Sequence, residues 1–165
     1  MDSDILYYER QRTPLLWGII ILLPINIPFI YGLVKQLIFK QSWGDNPMSD
    51  TELIIASVLV FFFGISMFVF KLETIITKEG IYVRFFPLMI RYKLYLWENT
   101  AKMEVKKHAP LRRYGGWGYK IGMKRTAFTM RGSMGLELIL NNNREVFIGT
   151  GNPQELQAII DKFKH

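Results

Sequence analysis

Two long uncharged apolar runs near the N-terminus constrain the fold of this chain more than any other feature. The first covers residues 15–34, and the second covers residues 53–70 with only Ser57 and Ser66 as polar members. Each run is about as long as the helix needed to cross ~30 Å of hydrocarbon. We therefore predict a transmembrane helical hairpin over residues 1–70, with a connecting loop at about 40–52.

Two other interpretations of the apolar runs fit the sequence less well. A secretory signal peptide requires a positively charged start and a small-residue cleavage site, whereas Asp2, Asp4 and Glu9 precede the first run. Buried core helices require a larger soluble domain than the remaining chain supplies. Pro24 and Pro28 predict a kink in the first helix, which membrane helices tolerate better than soluble ones.

The distribution of charge predicts the orientation of the hairpin. Residues 1–70 carry four Lys or Arg against six Asp or Glu, whereas residues 71–165 carry seventeen against eight. Arg10 and Arg12 precede the first run, and the loop between the runs is acidic. The positive-inside rule then places both termini in the cytoplasm of a multi-pass protein of the cell membrane.

The chain after residue 70 changes to a strand periodicity. Apolar and polar residues alternate in short segments, and a turn at residues 141–143 separates the last two of them. At the end, Leu156, Ile159, Ile160 and Phe163 form the apolar stripe of a helix at about residues 153–163. The pattern predicts a cytoplasmic domain over residues 71–165, with about seven antiparallel strands and one C-terminal helix.

This order of elements resembles the pleckstrin-homology-like (PH-like) fold. The whole chain is similar to small, uncharacterised bacterial membrane proteins with two N-terminal transmembrane helices and a PH-like domain. The resemblance rests on the segments YGGWGYKIG (114–122), RGSMGLELIL (131–140) and EVFIGTGNPQEL (145–156). It implies a bent, seven-stranded antiparallel barrel or sandwich closed by one helix, in a bacterial inner membrane. It implies no catalytic residues.

A glycine cluster in residues 112–122 is the most unusual local motif. A dinucleotide-binding loop requires a third glycine where Ile121 stands, and a P-loop requires a Gly-Lys-Ser/Thr ending. We therefore interpret Gly115, Gly116 and Gly118 as structural residues that admit positive φ where a loop enters a strand. The alternative is a ligand-contacting loop whose backbone N–H groups bind an anion.

Cations surround this glycine cluster. They favour either a solvated face beside an anionic membrane or a specific site for a phosphorylated headgroup or another anionic partner. The candidate binding residues are Lys106, Lys107, Arg112, Arg113, Trp117, Lys120, Lys124 and Arg125.

The run FFPLMIRYKLYLW, residues 85–97, has two open interpretations. Its apolar residues around Pro87 form either an exposed tip that contacts the bilayer or a partner, or part of the core next to a turn.

The composition argues against several functional classes. The chain has no cysteine and only two histidines, which excludes thiolate chemistry and a histidine metal cluster. The carboxylates lie on separate predicted strands, no catalytic motif occurs, and no recognition helix or RNA-binding string is present. We expect no enzyme activity, no metal, no cofactor and no nucleic acid.

The sequence thus predicts a membrane-anchored binding or scaffold module. Its predicted partners are the lipid bilayer and either anionic phospholipid headgroups or a membrane protein. The alternative is an accessory subunit of a larger membrane assembly or transporter, because small residues such as Gly18, Gly32, Gly64 and Ser66 permit close helix packing. An enzyme that acts on lipid or phosphate esters is the less favoured third class.

Overall fold

The chain was analysed as a computed structural model, which describes residues 5–107, 116 and 118–163. The backbone forms two compact units. The helical unit consists of residues 13–69, and the β unit combines the described residues up to Arg12 with those from Phe70 onward. The β unit therefore consists of two separate segments of the chain. The helical unit is inserted in the sequence between these two segments.

The helical unit contains two long helices, α1 (Leu15–Leu33) and α2 (Asp50–Val69). A π-helical turn, Val34–Ile38, extends α1. At the start of α2, Ser49 and Glu52 bond reciprocally: the Ser49 backbone N–H donates to Glu52 Oε2 (2.9 Å), and the Glu52 N–H donates to Ser49 Oγ (3.3 Å). This capping box satisfies N–H groups that the first helical turn leaves without partners.

The apolar helices present most of their surface outward within the described part of the chain. Two spans, Gly18–Ile38 and Asp50–Val69, are long and apolar enough to cross a membrane, and only 11% and 17% of their most apolar windows are buried. The core helices of a soluble domain would bury most of such a surface. The predicted spans therefore exist as helices whose apolar surface is left without protein cover.

Small residues let the two helices approach each other. A methyl group built on Gly64 would lie 1.8 Å from Leu22 Cδ2, and one built on Gly18 would lie 2.0 Å from Phe68 Cζ. These glycines therefore lie at the contact between the two helices of the hairpin.

The β unit begins with a four-stranded antiparallel sheet, sheet 1, in the order β1-β2-β3-β4. Its strands are β1 (Ile5–Arg12), β2 (Lys71–Thr77), β3 (Gly80–Phe86) and β4 (Lys93–Leu96). The last residue pair between β1 and β2 joins Arg12, which directly precedes the helical unit, to Lys71, which follows it after one residue.

A five-stranded sheet, sheet 2, follows after a 3-10 turn at Trp97–Asn99. Its order is β5-β8-β9-β7-β6. The strands are β5 (Thr100–Lys107), β6 (Gly118–Ile121), β7 (Arg125–Thr129), β8 (Met134–Leu140) and β9 (Glu145–Gly149), and helix α3 (Pro153–Ile160) comes last.

The inner faces of both sheets and α3 share one core. Its fully buried side chains include Ile81 and Val83 from sheet 1, Phe128 and Leu138 from sheet 2, and Leu156 from α3. Tyr119 stacks on Phe128 with ring centroids 4.9 Å apart. The mixed α and β composition agrees with the sequence prediction, and so does a C-terminal helix whose apolar stripe faces the sheets.

Two features of the predicted fold require correction. The described residues form nine strands in two sheets, whereas the sequence predicted about seven antiparallel strands in a bent barrel or sandwich, and β7 runs parallel to β9. The parallel pair arises because β8 pairs with β5 and β9, which leaves β7 to lie beside β9 after two reversals of direction. One of the strands beyond the predicted seven is β1, which the sequence analysis assigned to the hairpin segment.

Candidate functional site

The predicted basic patch is divided by the strand order of sheet 2. Lys106 and Lys107 belong to β5 at one edge, whereas Lys120 belongs to β6 at the opposite edge. Three strands lie between them. The described candidate cations therefore do not converge on one site.

Ion pairs neutralise much of the outer face of sheet 2, the face turned away from the core. Lys106 contacts the buried carboxylate of Glu137, and Arg125 Nε lies 2.8 Å from Glu145 Oε2. On β5, Lys102 Nζ lies 3.3 Å from Glu104 Oε2. Three cations thus face three carboxylates, and these three cations are poorly available to an anion.

The glycine cluster is described only in part. Gly116 and Gly118 have φ values of 124° and 117°, a region that residues with a Cβ rarely adopt. The Gly118 N–H donates to Thr129 Oγ1 at 3.1 Å as β6 begins. Gly115, Arg112, Arg113 and Trp117 lie outside the described residues.

The β6–β7 turn collects the remaining candidates into an exposed tip. Lys120 and Lys124 lie on either side of Ile121 and Met123, whose side chains are 72% and 96% exposed. The N–H of Gly122 donates to the Arg125 carbonyl at 2.7 Å and closes the turn. This tip combines apolar and cationic side chains on an edge strand, where a partner has access to them.

A denser cluster of cations lies on sheet 1, where the sequence analysis proposed no site. On its outer face, the strand register aligns Arg12 with Lys71 and Phe86 in one row, and Arg10 with Glu73 and Arg84 in the next. We call this surface the basic face. Its cations are Arg10, Arg12, Lys71 and Arg84. Together with the carboxylate of Glu73, they give a formal charge of +3.

Glu73 organises the centre of the basic face. Its carboxylate accepts a hydrogen bond from Arg84 Nε at 2.7 Å and one from the Tyr92 hydroxyl at 2.8 Å, and it lies 3.2 Å from Arg10 Nε. Burial opposes ionisation of Glu73, but the bonds from Arg84 and Tyr92 and the nearby positive charges outweigh it. The pKa of Glu73 is therefore lowered.

Tyr92 fixes the end of the β3–β4 loop to the same face. The Arg84 guanidinium lies over the Tyr92 ring, 4.4 Å from its centroid, as in a cation–π contact. Burial and the hydrogen bond to Glu73 raise the pKa of the Tyr92 hydroxyl to about 12, so it remains a protonated donor at neutral pH.

The apolar run at residues 85–97 divides between the two predicted interpretations. Phe85 is 3% exposed in the core, and Met89 packs against the core. Leu88 and Ile90, in contrast, are 61% and 76% exposed. Part of the run therefore belongs to the core, and Leu88 and Ile90 form an exposed apolar tip in the β3–β4 loop.

The inner face of β1 carries a polar row that bonds to the end of β9. Glu9, only 7% exposed, accepts hydrogen bonds from the Tyr7 hydroxyl (2.6 Å), Thr150 Oγ1 (2.7 Å) and the Gly151 N–H (2.7 Å). Gln11 Nε2 donates to the Gly149 carbonyl at 2.7 Å. These bonds tie β1, a strand of sheet 1, to the end of β9 in sheet 2.

The polar row also suppresses ionisation of Tyr7. Burial and the adjacent Glu9 carboxylate raise the pKa of the Tyr7 hydroxyl. A hydroxyl that remains protonated and bonded to Glu9 serves as a structural tie. We assign the Tyr7–Glu9–Thr150 group to stability.

Sequence reasoning missed both the strand and the face it completes. In ILYYERQR, residues 5–12, polar side chains occupy both faces, so no amphipathic alternation marks a strand. The one available signal was the alternation of Tyr8, Arg10 and Arg12 with Tyr7, Glu9 and Gln11. This alternation can be recognised as that of a strand only once the pairing of β1 with β2 is known.

Two cavities of the β unit are candidate binding sites, but neither is lined by a recognisable catalytic or metal-binding group of described residues. One, of about 560 Å³, is lined by Trp97, Phe163 and residues of β5, and another, of about 510 Å³, lies along β4. Among the residues that the structure describes, no three His, Asp or Glu side chains are grouped to hold a metal ion.

Comparisons with known proteins add no assignment. No protein-family model matches the sequence, and a search of curated proteins finds no match. The fold itself defines the class of architecture: a β domain of two sheets and a helix, into which an apolar helical hairpin is inserted between β1 and β2.

Proposed function

We propose that this chain is a non-enzymatic integral membrane protein whose β domain binds anionic lipid headgroups through the basic face of sheet 1. The two apolar helices anchor it in the bilayer, and the basic face supplies the binding surface. In this proposal, the domain resembles the PH-like fold in its bent sheets and closing helix, and the membrane is the inner membrane of a bacterium.

The observation that carries the proposal is the row Arg12–Lys71–Phe86. Its two cations are register partners, and they are the β-strand residues closest along the chain to the two apolar helices. Each Lys or Arg near an anionic membrane surface contributes about 1 kcal/mol of attraction.

The register also supports the topology. Because β1 and β2 pair directly, the segments before and after the hairpin belong to one folded domain and must lie on the same side of the membrane. The acidic loop between the spans and the basic β unit favour the cytoplasm for that side and for both termini.

A lipid titration tests the proposal on the full-length protein in nonionic detergent. We would measure binding of phosphatidylglycerol and phosphatidylcholine by native mass spectrometry. The variant Arg12→Gln/Lys71→Gln should lose affinity for phosphatidylglycerol by up to about 30-fold, because two contacts of about 1 kcal/mol each are removed. Phosphatidylcholine binding should be unaffected.

The matched control removes the same charge from the β6–β7 turn. Lys120→Gln/Lys124→Gln also lowers the net charge by two and should leave lipid affinity unchanged. Loss of binding in this control alone would assign the site to the β6–β7 turn. Equal binding by all three proteins would refute headgroup recognition by either surface.

A protein partner remains the second candidate, and the β6–β7 turn supports it. Met123 and Ile121 expose apolar surface on an edge strand between two lysines. If this tip binds a protein, then Met123→Ser should abolish a stoichiometric complex isolated in mild detergent, while the lipid titration is unchanged. The accessory-subunit proposal gains less support, since Gly18 and Gly64 already pack inside the hairpin.

A further inference from the structure

The β3–β4 loop carries apolar side chains that the fold does not use. Leu88 and Ile90 are 61% and 76% exposed, although the residues around them are held in place. Between them, Met89 packs against the core, and its N–H donates to the Phe85 carbonyl at 2.8 Å.

The loop is fixed at its other end as well. Tyr92 donates to Glu73 on the basic face, and its ring lies under the Arg84 guanidinium. With Met89 directed into the core and Tyr92 bonded outside, the backbone between them presents Ile90 outward. The apolar side chains are therefore exposed on a loop whose backbone is held in place by Met89 and Tyr92.

The strand register fixes which end of sheet 1 this loop occupies. The loop starts after Phe86, which pairs with Lys71, and Lys71 pairs with Arg12. The loop is therefore at the end of the sheet where the chain leaves β1 and where it returns into β2. We call this end the attachment end.

Chain length sets a limit on the distance between the attachment end and a membrane. Two residues separate Arg12 from the start of α1, and one residue separates the end of α2 from Lys71. An extended residue spans at most about 3.6 Å. If the helices cross a bilayer, as proposed above, the attachment end lies within about 10 Å of its surface.

The chemistry of the loop suits that location. Apolar side chains gain by entering the boundary between headgroups and acyl chains, while Lys and Arg favour the anionic surface above it. Arg91 and Lys93 are exposed beside Ile90, and Arg12 and Lys71 occupy the adjacent row of the sheet. Phe86 belongs to the same row, and Tyr92 contacts Arg84 in the next one. Aromatic side chains of this kind are typical of membrane interfaces.

We propose that the β3–β4 loop is a second membrane contact, in which Leu88 and Ile90 insert into the interfacial region of the bilayer. The cations at the attachment end bind the phosphate groups above them. This inference rests on the proposed membrane anchoring by the hairpin. It adds a defined insertion point that would orient the β domain on the membrane surface.

The absence of cysteine allows a direct test with single-cysteine variants of the full chain. Ile90→Cys, carrying an environment-sensitive fluorophore, is reconstituted into phosphatidylcholine/phosphatidylglycerol vesicles that contain lipids with shallow or deep acyl-chain quenchers. The expected result is quenching at residue 90 that is about threefold stronger with the shallow than with the deep quencher, because an interfacial insertion is shallow.

Two further labels separate failure of this inference from failure of the anchoring proposal. Phe62→Cys labels an exposed position within α2 and should be quenched by the deep probe. Lys78→Cys labels the β2–β3 turn, at the opposite end of sheet 1, and should be quenched by neither.

The outcomes are distinguishable. If residue 62 is quenched while residue 90 behaves like residue 78, the loop does not contact the bilayer and the inference is overturned. If residue 62 is not quenched, the hairpin does not cross the bilayer, and the anchoring proposal fails together with the inference. Shallow quenching at residue 90 together with deep quenching at residue 62 supports both.

Discussion

The inserted position of the hairpin predicts that the β domain can be made soluble only with β1 included. Arg12 and Lys71 are cross-strand partners, so residues 13–70 can be replaced by Asn-Gly to give a two-residue hairpin turn between β1 and β2. We expect this shortened chain to fold. A fragment of residues 71–165, the domain that the sequence analysis delimited, lacks β1 and should not fold stably.

The size of the effect follows from what β1 buries. Tyr7 is 3% exposed, and loss of a buried aromatic side chain costs about 3–5 kcal/mol. Glu9 accepts three hydrogen bonds and Gln11 donates one, and each such bond contributes about 1 kcal/mol. The total, about 7–9 kcal/mol, is comparable to the 5–15 kcal/mol that stabilises a whole domain.

Urea denaturation followed by far-UV circular dichroism, with size-exclusion chromatography, measures the difference. The shortened chain should be monomeric with a cooperative transition, and the fragment should aggregate or lack a transition. Both proteins lack Phe70, so its loss does not distinguish them. A fragment whose free energy of unfolding lies within about 1 kcal/mol of the shortened chain would refute the structural role of β1.

Adjacent tyrosines provide a matched control inside the shortened chain. Tyr7→Ala removes a buried ring and should lower the free energy of unfolding by about 3–5 kcal/mol. Tyr8→Ala removes a ring that is 53% exposed on the outer face and should cost less than about 1 kcal/mol. Equal effects would mean that β1 does not adopt the observed register.

Three further predictions concern the other elements. Gly64→Val should lower the thermal stability of the detergent-purified protein by the equivalent of about 1–3 kcal/mol, because its side chain meets Leu22, whereas Phe63→Leu at an outward position should be neutral. Glu73→Gln should destabilise the shortened chain by about 1–3 kcal/mol at pH 7. Since the folded pKa of Glu73 lies below its usual 4.5, that stability is present above pH 4.5 and is lost as pH falls through the folded value, so the variant and the parent should converge in acid urea titrations. Gly118→Ala should cost about 1–3 kcal/mol in the same denaturation assay because of its positive φ, and a neutral result would contradict the described backbone.

Local sequence patterns were sufficient to predict features that depend on a single helix or strand. Two runs of about twenty apolar residues specified the helices, and the alternation in segments such as residues 81–86 and 135–140 specified strands. The apolar stripe of the last helix also predicted the face that packs on the core through Leu156 and Ile160. In each case the relevant spacing lies within one segment of chain.

The candidate site depended on strand order, which local patterns do not encode. Lys106 and Lys120 looked like parts of one patch because they flank the same loop in the sequence, yet β5 and β6 form opposite edges of sheet 2. Arg10 and Arg84 are far apart in sequence, yet both contact Glu73. Proximity along the chain was a poor guide to proximity in space.

The sequence by itself therefore determined that this chain has two membrane-length helices, a β-rich basic remainder and a closing helix. Hydrophobic length and periodicity are properties of each segment alone, and they suffice for such conclusions. Only the tertiary structure decided that residues 5–12 complete the β domain around an inserted hairpin and that four cations meet on one face. Those outcomes depend on pairing β1 with β2 across more than fifty intervening residues, a non-local interaction whose register is set by packing of both sheets around a common core.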